Sequence, residues 1–510
     1  MSESSRSLPD QPSLRFLKLE ARRRLAAGEF SALYEAQLAI AREHGFPSWT
    51  ALKRVVGDSQ PDPDEAVLDH LGWVVSRLAG AGQPDWAPPA EQELAEHFEQ
   101  SYLDRGRSGQ LIKNLSALAR AGWLRDEVIV IAETPRFIRA RAGDVRIQTA
   151  GADEPPHRLR GITAHRIGQS ITDTRVTTPP ADTAGEVPEA AAAVAEEAFG
   201  EFGLVGLVLA GIDDHGKPWE LARGWAWLDP QEPLSTTHRF PVYGISTLIT
   251  ATAVLRLAAD GRLDLDGPAN DHLRTIRLAD DDITVRDLLT HADGLAALAT
   301  PAGWFAETVP GLVALTGPVL ASGGTRGTVT QGFGGYAALG ALIADVSGSP
   351  FPQAAARLVL DPLEMSGSSF PERWPAAGER AVSGYRLDAD GSFVPAPAKV
   401  GTVPAALGLW TTATDLIRFA LSWSSLLPAP LAEEAMRPLV RQGAGWEVAI
   451  GLGWRINESR GVAGQGGHSH GASASLVVKL DSGKVHVALT NRGIPIEEVN
   501  GRVIRALADS

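Results

Sequence analysis

Leu17, Ala21 and Leu25, and then Leu33, Gln37 and Ile40, fall at helical spacing, and Gly28 divides the run. The pattern predicts two helices between Leu14 and Val56, within a helical segment 1–58. Arg22, Arg23 and Arg24 are expected on a solvated helix face. Ser59-Gln60-Pro61-Asp62-Pro63-Asp64 reads as a linker by composition. Amphipathic helical patterns resume over Ala66–Leu78 and Glu91–Phe98. From Glu127 the pattern changes to short β-rich runs at 128–131, 136–139 and 145–147, closing with 156–162. Helices followed by strands predict a small α+β domain over 65–176. In it, His157 and His165 are expected as surface or hydrogen-bonded side chains.

A second linker is predicted at 177–182. Beyond it lie an Ala-rich helix, Val187–Phe199, and a buried strand, Leu204–Gly211. The turn Asp213-Asp214-His215-Gly216 leads into another strand, where Trp225 and Trp227 are expected to pack. These elements open a third region, 185–510.

Composition narrows the function classes. Apolar residues make up 44% of the 510, enough for real cores in two or three domains. The formal charge of −14 argues against nucleic acid or an anionic membrane as partner, since both need clustered positive charge. With no Cys, disulfides, thiolate catalysis and cysteine metal sites are excluded. Met1–Asp10 carries no apolar stretch of signal-peptide type, and no run of 18 apolar residues occurs. The expectation is a cytoplasmic protein without a membrane span.

Residues 36–49 are similar to a helical segment found before ankyrin-type repeats in bacterial proteins. No repeat of the roughly 33-residue ankyrin period follows. A longer resemblance begins near residue 185. Phe240–Leu257, Gly261–Asp266, Ile283–Leu295, Gly335–Gly340, Asp361–Met365, Gly408–Leu416 and Gly451–Trp454 follow one another in an order and spacing that resemble the serine β-lactamase and penicillin-binding-protein family. The class C-related serine hydrolases are included in that likeness. The resemblance implies an α+β fold, with an antiparallel sheet flanked by helices and a helical lobe. The segment before it is similar to the isomerase-like domain of clavulanic-acid-type β-lactamase-like proteins.

The resemblance also implies an acyl-transfer site in three pieces. They are a Ser with Lys three residues later at a helix N-terminus, a Tyr-x-Asn loop, and a Lys-Thr-Gly or His-x-Gly strand. Matched residue by residue, the nucleophile position is Gly244 and the Lys position is Thr247. The loop position is Gln331-Gly332-Phe333 and the strand position Gln465-Gly466-Gly467. A register shifted by two would offer Ser246 followed by Ile249, still without a Lys. It would also turn the hydroxyl about 200° around the helix. A strand shifted by three would read His468-Ser469-His470-Gly471.

The expected cleft is therefore lined by Tyr243, Gly244, Thr247, Gln331, Phe333, Gln465 and His468, with His470 nearby. This neutral, hydrogen-bonding set suits a small-molecule ligand, and Gly244 is expected to let that ligand approach the backbone. A protein partner is the other binding reading. No cofactor is expected. His468 and His470 share a strand face as a metal pair would, but no carboxylate motif accompanies them, so they read as polar lining. The function expected is a non-hydrolytic, small-molecule-binding β-lactamase-like protein. The alternative is an enzyme with rebuilt chemistry (isomerase, cyclase or hydrolase), in which His468, His470, Thr247 or Tyr243 substitutes for the lost groups.

Overall fold

The computed structural model describes residues 24, 39–43, 65–79, 87, 89–100, 103, 128–134, 137–142, 145–152, 155–166, 179–295, 305–309, 319–320, 325–329, 332–388, 392–441, 448–469 and 471–509. The chain divides into two compact units, Met1–Arg166 and Ile167–Ser510.

In the first unit, Arg24 and residues 39–43 are helical, and the rest of the expected N-terminal helices lies outside the described residues. Arg24 departs from the solvated-face expectation. Its guanidinium forks onto the Glu43 carboxylate at 2.6 and 2.9 Å and is largely buried. Helix α1 spans Glu65–Ala79 and α2 spans Glu91–His97. Val67, Leu71 and Val74 sit at i, i+4 and i+7 of α1 and are buried, so they form the apolar stripe that docks the helix. Strands β1 (Val128–Thr134), β2 (Phe137–Ala142), β3 (Val145–Gly151) and β4 (Leu159–Arg166) form an antiparallel meander in chain order. Each strand runs beyond the β-rich core predicted for it. The backbone of His165 lies in β4 opposite Arg146, and its side chain is outside the description.

The second unit is built on a ten-stranded antiparallel sheet. Its first strand, β5 (Asp182–Ala184), begins inside the predicted linker. There the Asp182 carboxylate accepts hydrogen bonds from the Thr236 amide (2.8 Å) and hydroxyl (3.2 Å), which seats this end of the chain on the sheet. Strands β6 (Gly206–Ile212), β7 (Pro218–Leu228) and β8 (Gln231–Pro233) follow. The remaining strands come much later: β9 (Val440–Arg441), β10 (Val448–Ile450), β11 (Arg455–Asn457), β12 (Val462–Ser469), β13 (Ala472–Lys479) and β14 (Val485–Thr490). The spatial order is β9-β10-β11-β12-β13-β14-β6-β7-β5, with β8 paired to β7.

Strand β6 is buried at every position because both of its faces are covered. Leu207 and Leu209 point into a core made with helices α3 (Glu189–Phe202) and α9 (Ile496–Asp509). Val208 and Ala210 point into the larger core on the other side.

That larger core contains helix α4 (Ser246–Ala259), buried without a break from Ser246 to Leu255. Three threonines in so dry a helix need partners for their hydroxyls. Thr247 donates to Gly244 O (2.7 Å), Thr250 to Ala405 O (2.6 Å) and Thr252 to Leu248 O (2.8 Å). The lobe around α4 includes α5 (Val285–Leu289), α6 (Gly334–Ser347) and α7 (Pro404–Leu407), whereas α8 (Ala413–Ser422) packs on the sheet against β14 and β6. A Thr284/Asp287 capping box starts α5. The second unit is thus α+β, a helix-flanked antiparallel sheet with a helical lobe. Trp225 packs with Val205 and Tyr385, and Trp227 donates its indole N–H to Ala381 O at 2.6 Å. No helix among the described residues is long and apolar enough to cross a membrane.

Candidate functional site

A short 3₁₀ turn, Tyr243–Ile245, leads directly into α4, and β12 runs alongside it. Gly244 and Thr247 sit three residues apart here, with Gln465, Gly466 and Gly467 facing them from the strand. The fit is tight. A Cβ placed on Gly244 would lie 2.6 Å from the Gly466 carbonyl oxygen. One placed on Gly467 would lie 2.7 Å from the Gly244 amide nitrogen and would also strike Val242 O. Glycine on both sides lets turn and strand approach backbone to backbone. The space expected to admit a ligand at Gly244 is therefore filled by the strand's own backbone.

Next to this contact lies a closed, neutral hydrogen-bond chain. The Gln465 side-chain amide donates to Thr247 Oγ1 at 3.3 Å, and Thr247 donates onward to Gly244 O at 2.7 Å. The Gln465 side-chain oxygen accepts from the Gly466 amide at 3.2 Å. The Thr247 proton is committed to the backbone, and among the described residues no charged group enters this chain. Ser246, the shifted-register candidate, is fully buried, and its hydroxyl oxygen accepts from Leu409 N at 3.0 Å. It is a bracket between α4 and the loop before Trp410, not an exposed nucleophile.

Tyr243 holds a positive φ of 42° and is buried, with its ring edge-on to Phe305 at 5.6 Å. Among the described residues its hydroxyl has no hydrogen-bond partner. Burial alone pushes its pKa far above the ordinary tyrosine value, so it stays protonated.

The other predicted residues do not all gather here. Phe333 forms the N-cap of α6 and packs half-buried against the large core. Gln331 and His470 lie outside the described residues. His468 is exposed and does not share the face of Gln465. Side chains alternate along β12, so Ala463 joins the core with α4 whereas His468, five residues on, points to the opposite face. On that face Glu497 feels the His468 charge, and a Cβ on Gly466 would meet the Glu497 carboxylate. Loss of hydration raises the Glu497 carboxyl above the usual range, with His468 and Arg455 pulling it back.

One group was missed from the sequence. Asp293 lies in the run Leu288-Leu289-Thr290-His291-Ala292-Asp293-Gly294-Leu295 and is buried. One carboxylate oxygen accepts from Leu295 N at 2.8 Å, and the other presses on Gly335 in the first turn of α6. Burial raises its pKa to about 6. Beside it His291, at φ 56°, stacks on Tyr336 at 4.7 Å. Burial, with Arg455 adding to it, lowers the His291 pKa to about 4. Tyr336 donates to Leu289 O at 3.2 Å. The available signal was a carboxylate between Ala292 and Gly294, in the turn that follows α5.

The β-lactamase family profile matches residues 191–509. Among solved structures, the chain is similar to a penicillin-binding protein from Bacillus halodurans, with 20% identity and a TM-score of 0.54, covering 63% of this chain and 100% of that one. It is similar to a D-stereospecific amidohydrolase from Streptomyces sp. at 24% identity and TM-score 0.52, covering 63% and 98%. A class C β-lactamase matches at 20% identity and TM-score 0.51, over 62% and 95%. At these identities the structural likeness speaks for the fold.

Proposed function

The chain belongs to the β-lactamase family, and on that premise we propose that its second unit is a non-hydrolytic member that binds a small molecule without forming a serine ester. The contact of Gly244 with the Gly466 carbonyl carries this reading. The residue at the nucleophile position has no side chain, and the volume a serine Cβ would occupy is already taken. At the Lys position, Thr247 offers no amine, and its hydroxyl is bound at both ends, to Gln465 and to Gly244. Without a nucleophile and a base, the two-step acyl transfer has no first step. The neutral lining of Thr247 and Gln465, with Phe333 on the lobe, favours an uncharged or weakly anionic ligand along this edge. A protein partner on the same fold remains the second binding reading.

Asp293 favours one form of the alternative, an enzyme with rebuilt chemistry. A buried carboxyl near pKa 6 at the first turn of α6 has the character of a general acid or base at neutral pH.

Incubation with a fluorescent penicillin, followed by denaturing electrophoresis and intact mass measurement, tests the main reading. Unlabelled protein of unchanged mass is expected. A stoichiometric adduct on Ser246 or Thr247 would overturn it.

A further inference from the structure

The Pro156-His157-Arg158 stretch, which the second unit leaves unexplained, closes in the first unit onto a pair of histidines. His70, Trp73 and Arg77 lie at i, i+3 and i+7 of α1, on one face, and His97 ends α2. His70 Nδ1 and His97 Nδ1 are 3.0 Å apart, and His70 Nε2 is 3.0 Å from Pro156 O. A carbonyl can only accept, so His70 Nε2 carries a hydrogen. Neutral His70 then presents a bare Nδ1, and the hydrogen between the two rings belongs to His97 Nδ1. It follows that neutral His97 has a bare Nε2, which accepts no hydrogen bond from any described residue. Trp73 stacks on the His97 ring at 4.1 Å and 14° and holds its plane, while Arg77 lies over Trp73 and pairs with Glu93. Arg158 Nε donates to Glu96 O at 3.1 Å, which tethers a guanidinium next to His97.

We propose that His97 Nε2 is a proton-accepting group, with His70 as its positioning residue, in a site of the first unit for small neutral molecules that carry a weakly acidic C–H, N–H or O–H. The proton passes to Nε2, the electron pair stays on the substrate, and Arg158 faces the anion so formed. The pair takes up this one proton without losing the hydrogen bond between the rings. Burial, His70, Arg158 and Arg77 hold the His97 pKa below its ordinary value, against the pull of Glu96. The base is therefore free at neutral pH.

The test uses the full chain with 5-nitrobenzisoxazole. In this probe the C–H bond breaks to the base, the N–O bond breaks, and a nitrile and a coloured phenolate form. Elimination at least tenfold faster than with equal free imidazole is expected, with a rate that rises with pH through a midpoint below the ordinary histidine value. His97→Gln should abolish the excess rate. Arg158→Ala should lower it several-fold. His70→Leu should lower it too, and His70→Asn, which keeps an acceptor at the Nδ1 position, should restore it. Selective ¹⁵N-histidine spectra should show His97 protonated at Nδ1 in the wild type and in His70→Asn, and a mixture in His70→Leu. A folded His97→Gln variant with the wild-type rate, no excess over imidazole, or a His97 that carries its hydrogen on Nε2 would each overturn the proposal.

Discussion

Gly244 and Asp293 show how one residue's surroundings decide what it can do. At Gly244 the limit is steric. With the Gly466 carbonyl 2.6 Å from any Cβ, Gly244→Ser should destabilise the second unit by about 1–3 kcal/mol, the usual cost of overpacking. Chemical denaturation would register this as a lower midpoint. Adding Thr247→Lys should not bring penicillin hydrolysis to natural rates, roughly 1–10³ s⁻¹, because the new hydroxyl can enter only by displacing β12. At Asp293 the limit is electrostatic. Its folded pKa, about 6, stands above the unfolded value of about 3.9. The folded state therefore holds the proton more tightly, and the stability this confers below pH 4 is lost as pH rises through 6. The loss is of order 3 kcal/mol for this nearly buried group. Asp293→Asn keeps an acceptor for Leu295 N and removes the charge. Relative to wild type it should be neutral near pH 4 and stabilising by about 1–3 kcal/mol at pH 7.5, as read from paired denaturation curves. A constant difference across that range would show that Asp293 does not titrate as described. Gly244, Thr247 and Gln465 were placed through the family resemblance, and the structure brings them together at a helix N-terminus and its neighbouring strand. The burial of Ser246, the opposed direction of His468 and the shifted pKa of Asp293 were not legible in the sequence, since each depends on what a distant segment packs against it.

Elements were legible where the hydrophobic period was clean. Helix α1 was predicted as Ala66–Leu78 and is Glu65–Ala79. The buried strand predicted at 204–211 is β6, Gly206–Ile212. The fourth strand of the first unit was less legible, because Pro156, His157 and Arg158 break the apolar pattern just before Leu159. Strand β5 was hidden altogether. Three exposed residues carry no alternation, and what holds them is pairing with β7 and the Asp182 cap on Thr236. For β6 the reverse is true, and its burial on both faces makes it sensitive. Leu209 is fully buried in the core with α3 and α9. Leu209→Ala should cost about 2–5 kcal/mol, measured by urea unfolding of the second unit. A cost under 1 kcal/mol would mean that α3 and α9 collapse into the gap.

At the scale of the molecule, the sheet and both of its cores are built from residues after 181. A chain of residues 179–510 should therefore fold alone, with a single cooperative melt and the far-ultraviolet dichroism of a mixed α and β protein. A molten, non-cooperative transition would refute that independence. The strand order has a consequence for synthesis. Strands β6 and β7 are made early, and β6 finds one neighbour at once. Its other neighbour, β14, is translated only after the whole helical lobe and five further strands. Until then the ribosome-bound chain presents a strand apolar on both faces with one row of unpaired amides and carbonyls. Such an edge is a template for pairing with another nascent chain. The second unit can complete its fold only once translation has passed Thr490, so its yield in a cell rests on whatever shields β6 during that wait.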